Sequence, residues 1–127
     1  MGVDAIEIRR IERALHRFGE RFLARIYSPA ERERYAGRVS ELAARFAAKE
    51  ATMKALGTGV RGIRWRDIEV LPNARGKPVI RLHASAAERA RLLGLVHVAV
   101  SLTHSRDLAI AVVVARFAPS SVPHHEA

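Results

Sequence analysis

The sequence predicts an α+β fold: a short N-terminal strand, three helices, a hairpin, a short inserted helix and a final pair of antiparallel strands. Three stretches carry this reading. Arg45 to Gly59, RFAAKEATMKALGTG, has the period of a helix; 67–83 reads as strand, turn, strand; and 96–117 is the strongest β signal in the chain. At 127 residues the chain is expected to form one domain, 1–117, followed by a tail, 118–127, whose Pro, Ser and His content is that of a disordered segment. No internal repeat or linker divides it.

In order, Gly2 to Ile6 reads as a short strand. It contains Asp4, a residue type depleted in strand interiors, so Asp4 is either a functional group or a cap for the helix that follows. From Ile8 the pattern turns helical, with Ile8, Ile11, Leu15, Phe18 and Phe22 on one stripe and Arg10, Arg13, Arg17 and Arg21 on the opposite side. Gly19 weakens this helix, so Arg21 can belong to a separate turn. No acid interrupts the arginine row, which makes it a candidate docking face for an acidic helix. Ser28-Pro29-Ala30-Glu31 is a capping box with proline at the first helical position, and Gly37 stops the helix it begins.

The central helix is expected from about Ser40 to Leu56. Leu42, Phe46, Lys49, Met53 and Leu56 share its large apolar stripe. A second stripe holds Ala43, Ala47, Glu50, Ala51 and Lys54, where alanines let another backbone or a ligand come close. A solvent-facing Glu–Lys pair would be the bland reading of Glu50 and Lys54. Lys49 weakens that reading, because an apolar stripe is an expensive place for a charge without a partner. Gly57-Thr58-Gly59 ends the helix with backbone able to lay N–H groups against a phosphate. Asp67 to Leu71 and Pro78 to His83 form the first hairpin around a turn at Pro72 to Gly76. Ser85 and Glu88 repeat the capping-box pattern before a short helix that ends at Gly94. Val96 to Thr103 and Leu108 to Phe117 close the fold around a turn at His104 to Asp107. The second of these strands is apolar on both faces and needs cover, from its own chain or from a subunit interface.

Composition narrows the function. There is no cysteine, so disulfides and thiolate metal sites are excluded. No apolar run is long enough for a membrane span, and the first residues carry carboxylates where a signal peptide is apolar, so a soluble, cytoplasmic protein is expected. The net charge of +9 calls for an anionic partner.

Four stretches, GVDAIEI, RFAAKEATMKALGTG, DIEVL…GKPVI and HVAVSLTHS, occur in an order that resembles the holo-acyl carrier protein synthases, the small bacterial 4′-phosphopantetheinyl transferases. The resemblance spans nearly the whole chain except the tail. It implies the phosphopantetheinyl transferase fold and transfer of 4′-phosphopantetheine from coenzyme A to a serine of acyl carrier protein, in fatty acid biosynthesis. Adenosine 3′,5′-bisphosphate is released. It also implies Mg²⁺ and a homotrimer with active sites between subunits.

By this resemblance Asp4 and Glu50 match the metal-binding carboxylates, and Lys54 matches the lysine that meets the coenzyme A phosphates. Arg45 and His104 match positions near the nucleotide, and Gly57, Thr58 and Gly59 let the chain pass close to the ligand. Lys49 would hydrogen-bond the carboxylates or help deprotonate the serine; Glu50 or a metal-bound water are the other candidates for that base. The arginine row would receive the acidic carrier protein. Two other readings compete. One is a basic α+β nucleic-acid-binding module, against which stands an aromatic content of 6% with no aromatic cluster on a strand face. The other is a trimeric scaffold without activity, against which stands the presence of every carboxylate and lysine the chemistry requires. No nucleic-acid or membrane partner is expected.

Overall fold

The computed structural model describes residues 1–58 and 61–119. Gly59 and the tail from 120 onward, on which two of the expectations above fall, lie outside the described residues.

The first strand, β1 (Gly2–Glu7), runs directly into α1 (Ile8–Phe18), α2 (Glu20–Ile26), α3 (Pro29–Tyr35) and the central helix α4 (Val39–Ala55). A single 3₁₀ turn, Trp65–Asp67, leads into the hairpin β2 (Ile68–Pro72) and β3 (Pro78–Leu82). Helix α5 (Ala84–Leu93) and the long hairpin β4 (Leu95–His104) and β5 (Leu108–Phe117) complete the chain. The α+β class holds, with one helix more than expected. Gly19, at φ +54°, breaks the first helix in two and moves Arg21 onto α2, out of line with Arg10, Arg13 and Arg17.

The strands β1, β5 and β4 make an antiparallel sheet in that order, and β2 and β3 pair separately. Helix α4 lies against β1 and β5. Ala43, Ala47 and Ala51 are completely buried there, as are Ala109, Ala111 and Val113 of β5. The small stripe read from the sequence is therefore a contact face. Gly2 shows how tight it is: a β-carbon at this position would lie 1.9 Å from the carbonyl oxygen of Ala51. Only glycine lets β1 cross α4 at that distance, and the crossing sets Asp4 beside the middle of the helix. The opposite side of α4 buries Leu42, Lys49, Met53 and Leu56.

Register fixes which way β1 points. Gly2, Asp4 and Ile6 pair with Val113, Ala111 and Ala109 on the helix side. Val3 and Ala5 pair with Val112 and Ile110 on the other side, and that side is open in the single chain: Val3 is 50% exposed and Val114 51%. This is the two-sided apolar character of β5 seen in the sequence, with one face covered and one not.

Two caps came out differently. Ser28 and Glu31 make the expected reciprocal capping box at α3. At α5 the expected box does not form: the N-cap is His83 without a side-chain bond, and the Ser85 hydroxyl donates to Asp67 at 2.5 Å. The buried Asp67 carboxylate has the stronger need, because an unmet buried charge costs more than an exposed helix end. Among the described residues no helix is long and apolar enough to cross a membrane.

Candidate active site

Asp4 enters from β1 and Glu50 and Lys54 from successive turns of α4. Asp4 is no helix cap, since the N-cap of α1 is Glu7. The Lys54 ammonium donates to Asp4 Oδ1 at 2.9 Å and to the Val3 carbonyl at 3.2 Å. Glu50 is half-buried and in hydrogen-bonding contact with Asp4. Burial, then the charge of Asp4 and that hydrogen bond, raise the Glu50 carboxyl above the ordinary range, against the pull of Lys54 and Arg10. The hydrogen bond to Asp4, then its charge, raise the Lys54 ammonium in turn. Arg10 of α1 thus faces this centre as well as solvent.

Two repelling carboxylates in half-buried surroundings are a natural seat for a hard divalent cation. Among the described residues no group of three or more His, Asp or Glu gathers at one point. The two carboxylates by themselves are a donor set that Mg²⁺ accepts, since it binds through one or two carboxylates when substrate oxygens and water complete its shell.

Beyond the C-terminal end of α4 a cleft of about 530 Å³ is lined by Gly57, Thr58, Arg61, Gly62, Ser85, Glu88, Arg89 and Leu92. Gly57 and Thr58 line it as expected, but their N–H groups do not serve an anion. Gly57 N donates to Lys54 O at 3.0 Å and Thr58 N to Met53 O at 3.1 Å, closing the helix terminus. The positive charge in the cleft comes from Arg61 and Arg89. Nothing local in the sequence marks these two arginines, 28 positions apart, as lining one cleft.

Lys49 requires the largest correction. It was expected near the carboxylates, but it leaves the opposite side of α4 and is fully buried. Its ammonium donates to Glu31 Oε1 at 2.7 Å, to Trp65 O at 3.2 Å and to the Ile68 carbonyl. Burial pushes Lys49 below the usual lysine range, with Glu31 opposing; three acceptors match the three donors of the charged form. Glu31 itself accepts from Ser28 N at 2.9 Å and, through its other oxygen, from Val70 N at 2.8 Å. Lys49 is a fully buried cation tying α3, α4 and β2 together.

Arg45 and His104 come together, but not with Asp4. The Arg45 guanidinium is buried, 4.1 Å from the centre of the Tyr35 ring, and paired with Glu41. His104 Nε2 stands 3.6 Å from the same Glu41. Their end of α4 is about 13 Å along the helix axis from Lys54, at 1.5 Å per residue.

Arg10, Arg13 and Arg17 are exposed on α1 as expected, and Arg17 lies 5.2 Å from the centre of the Phe18 ring. Phe18, on the apolar stripe of the first helix, is 50% exposed. Arg21, on α2, instead rims a groove with Phe18, Phe22, Arg25, Phe46 and Trp65. Phe46 and Trp65 stack there with ring centres 4.7 Å apart.

The chain is thus an α+β domain with two carboxylates and a lysine at the crossing of β1 and α4, and a cleft carrying Arg61, Glu88 and Arg89 beyond the end of that helix. Comparison with known proteins identifies its family. The family model of the 4′-phosphopantetheinyl transferase superfamily matches residues 1–113, and the chain belongs to that family. A holo-[acyl-carrier-protein] synthase of Herpetosiphon aurantiacus is 51% identical over 120 residues, covering 89% of this chain and 94% of that protein. One from Solibacter usitatus is 49% identical over 117 residues, with 89% and 94% covered. Among solved structures, the Helicobacter pylori holo-[acyl-carrier-protein] synthase in complex with coenzyme A superposes with a TM-score of 0.83 at 34% identity, covering 91% of this chain and 98% of that one.

Proposed function

We propose that this protein is a holo-acyl carrier protein synthase: it transfers 4′-phosphopantetheine from coenzyme A to a serine hydroxyl of apo-acyl carrier protein and releases adenosine 3′,5′-bisphosphate. The reading includes Mg²⁺ dependence and a place in cytoplasmic fatty acid biosynthesis. The observation that carries it is the convergence of Asp4, Glu50 and Lys54 at the crossing of β1 and α4, in a chain of this family.

Asp4 and Glu50 are the residues that would hold Mg²⁺. Bound there, the ion would neutralise the pyrophosphate under attack. Lys54 offers a mobile point charge to the same phosphates, and Arg61 and Arg89 supply positive charge for the nucleotide end in the cleft. Glu50, beside Asp4, is the group on this chain placed to accept the serine proton. The enclosed Lys49 is not. Arg10, Arg13 and Arg17 present the surface for the acidic carrier protein, with Phe18 as an apolar contact at its edge and Arg21 beyond it on α2.

The open face of the β1–β5–β4 sheet supports assembly as a trimer. Such an assembly gives His104, exposed and remote from Lys54 within one chain, a neighbouring site to serve, whereas the buried Arg45 is committed to Glu41, Tyr35 and Val70. The test is intact-mass spectrometry of apo-acyl carrier protein incubated with the enzyme, coenzyme A and Mg²⁺. A gain of one phosphopantetheine is expected from the wild type and none from folded Asp4→Ala or Glu50→Ala. No gain with the folded wild type would overturn the reading.

A further inference from the structure

Lys54 stands where two kinds of ligand meet. Its ammonium sits on Asp4 Oδ1 at 2.9 Å, yet the side chain is 53% exposed whereas Asp4 is only 12% exposed. The carboxylate is enclosed, while the cation, though bonded to Asp4 and to the Val3 carbonyl, reaches solvent. Asp4 occupies β1 and is pinned by the crossing of Gly2 over Ala51, while the lysine ends a flexible four-carbon stem whose head reaches water. A divalent cation seated on Asp4 and Glu50 would compete with the ammonium for the Asp4 carboxylate. Two cations cannot share it at hydrogen-bonding distance without strong repulsion. Lys54 lies one helical turn past Glu50 and three residues before Gly57, which lines the cleft.

We infer that Lys54 is an exchangeable counter-ion: it neutralises Asp4 until a divalent cation takes that carboxylate, and its release is what presents it to the phosphates of coenzyme A. This rests on the reading of Asp4 and Glu50 as the metal seat. The consequence is positive coupling between metal and coenzyme A, beyond any contact between the two ligands. By linkage the coupling has the same factor in both directions. Each ligand removes a cost the other would meet: the metal frees the lysine from Asp4, and the phosphate holds the lysine away from the metal.

The experiment measures Mn²⁺ binding by electron paramagnetic resonance, with and without coenzyme A, for the wild type, Lys54→Met, Lys54→Arg and Asp4→Asn. Lys54→Met should bind Mn²⁺ about two- to fivefold more tightly than the wild type without coenzyme A, the range expected for removing one exposed competing cation. Coenzyme A should tighten Mn²⁺ binding by a smaller factor in Lys54→Met than in the wild type. Lys54→Arg should retain most of the wild-type coupling, because a mobile cation remains. Unchanged or weaker Mn²⁺ affinity in Lys54→Met, or equal coupling in Lys54→Met and the wild type, would overturn the exchange while leaving the metal seat intact. Failure of the seat reads differently: Asp4→Asn binding Mn²⁺ as well as the wild type would overturn both.

Discussion

Helix α4 carries two lysines, five residues apart, that form ion pairs of nearly equal length and opposite character. Lys49 meets Glu31 at 2.7 Å with both side chains fully buried; Lys54 meets Asp4 at 2.9 Å with the lysine half in water. The first pair has every donor committed to α3, β2 and the turn before it. It exchanges with nothing, and its work is to hold three elements in register. The second has an enclosed carboxylate and a half-exposed cation, and each member can take another partner. Burial, rather than distance, separates a structural charge from a working one.

The largest effect expected from this contrast is on stability. Glu31→Gln keeps the shape of the hub but takes from the enclosed Lys49 ammonium the carboxylate it touches, leaving only the charges of Glu69 and Asp67 to act on it, a change that costs about 3–5 kcal/mol. Urea unfolding should show it, and adding Lys49→Met to Glu31→Gln should recover part of the loss, because the orphaned charge goes with the lysine. A loss under about 1 kcal/mol would mean that water reaches the pair, and the contrast would break.

An intermediate effect is expected at the exposed end of the scale, and on binding rather than folding. Reversing Arg10, Arg13 and Arg17 to Glu should raise KM for acyl carrier protein sharply at low salt and less at high salt, with KM for coenzyme A changing little. Each exposed pair is worth only about 0.2–1 kcal/mol, so the single changes should be modest. Steady-state kinetics with each substrate varied at two salt concentrations checks this. Equal loss for both substrates would mean damage near Glu50, which Arg10 also faces.

The smallest effect concerns Glu69, which lies between the two extremes. Burial alone would raise its carboxyl, but the Ser28 hydroxyl, His83 and the charge of Lys49 outweigh it and hold Glu69 below the ordinary range. A carboxylate lowered on folding adds stability above its unfolded value, near 4.3, and loses it as pH falls through the lower folded value. Glu69→Gln should therefore melt slightly below the wild type at pH 7, and the gap should close on acidification below about pH 4. Thermal melts at the two pH values read it directly. A gap that widens in acid would reverse the assignment.

Much of this was legible from the sequence, and what was not has a common cause. Period and punctuation gave the class of fold and the alanine stripe, whose close approach Gly2 then confirms. Resemblance singled out Asp4, Glu50 and Lys54, which the structure brings together. Lys49 was misplaced because its partner Glu31 already had a local explanation in the capping box. That box uses one oxygen, and nothing near Glu31 in sequence shows that Lys49 shares it or that Val70 takes the other. The N–H groups of Gly57 and Thr58 were misread for a similar reason: glycine signals backbone freedom, while the acceptors it finds are set by how the helix ends. Asp67 taking the Ser85 hydroxyl from α5 is the same lesson in a third place. Local pattern names the groups; burial decides which partner wins.

The most direct measurement is a paired one on Lys49→Met and Lys54→Met, combining urea unfolding with coenzyme A titration in Mg²⁺. Lys49→Met should lose about 3–5 kcal/mol of stability, yet bind coenzyme A nearly as the wild type does at temperatures where it remains folded. Lys54→Met should stay within about 1 kcal/mol of wild-type stability, yet bind coenzyme A about tenfold or more weakly, as loss of a charged phosphate contact requires. The opposite pattern, a stable Lys49→Met that fails to bind coenzyme A beside a Lys54→Met that binds it normally, would contradict the division of labour between the two lysines.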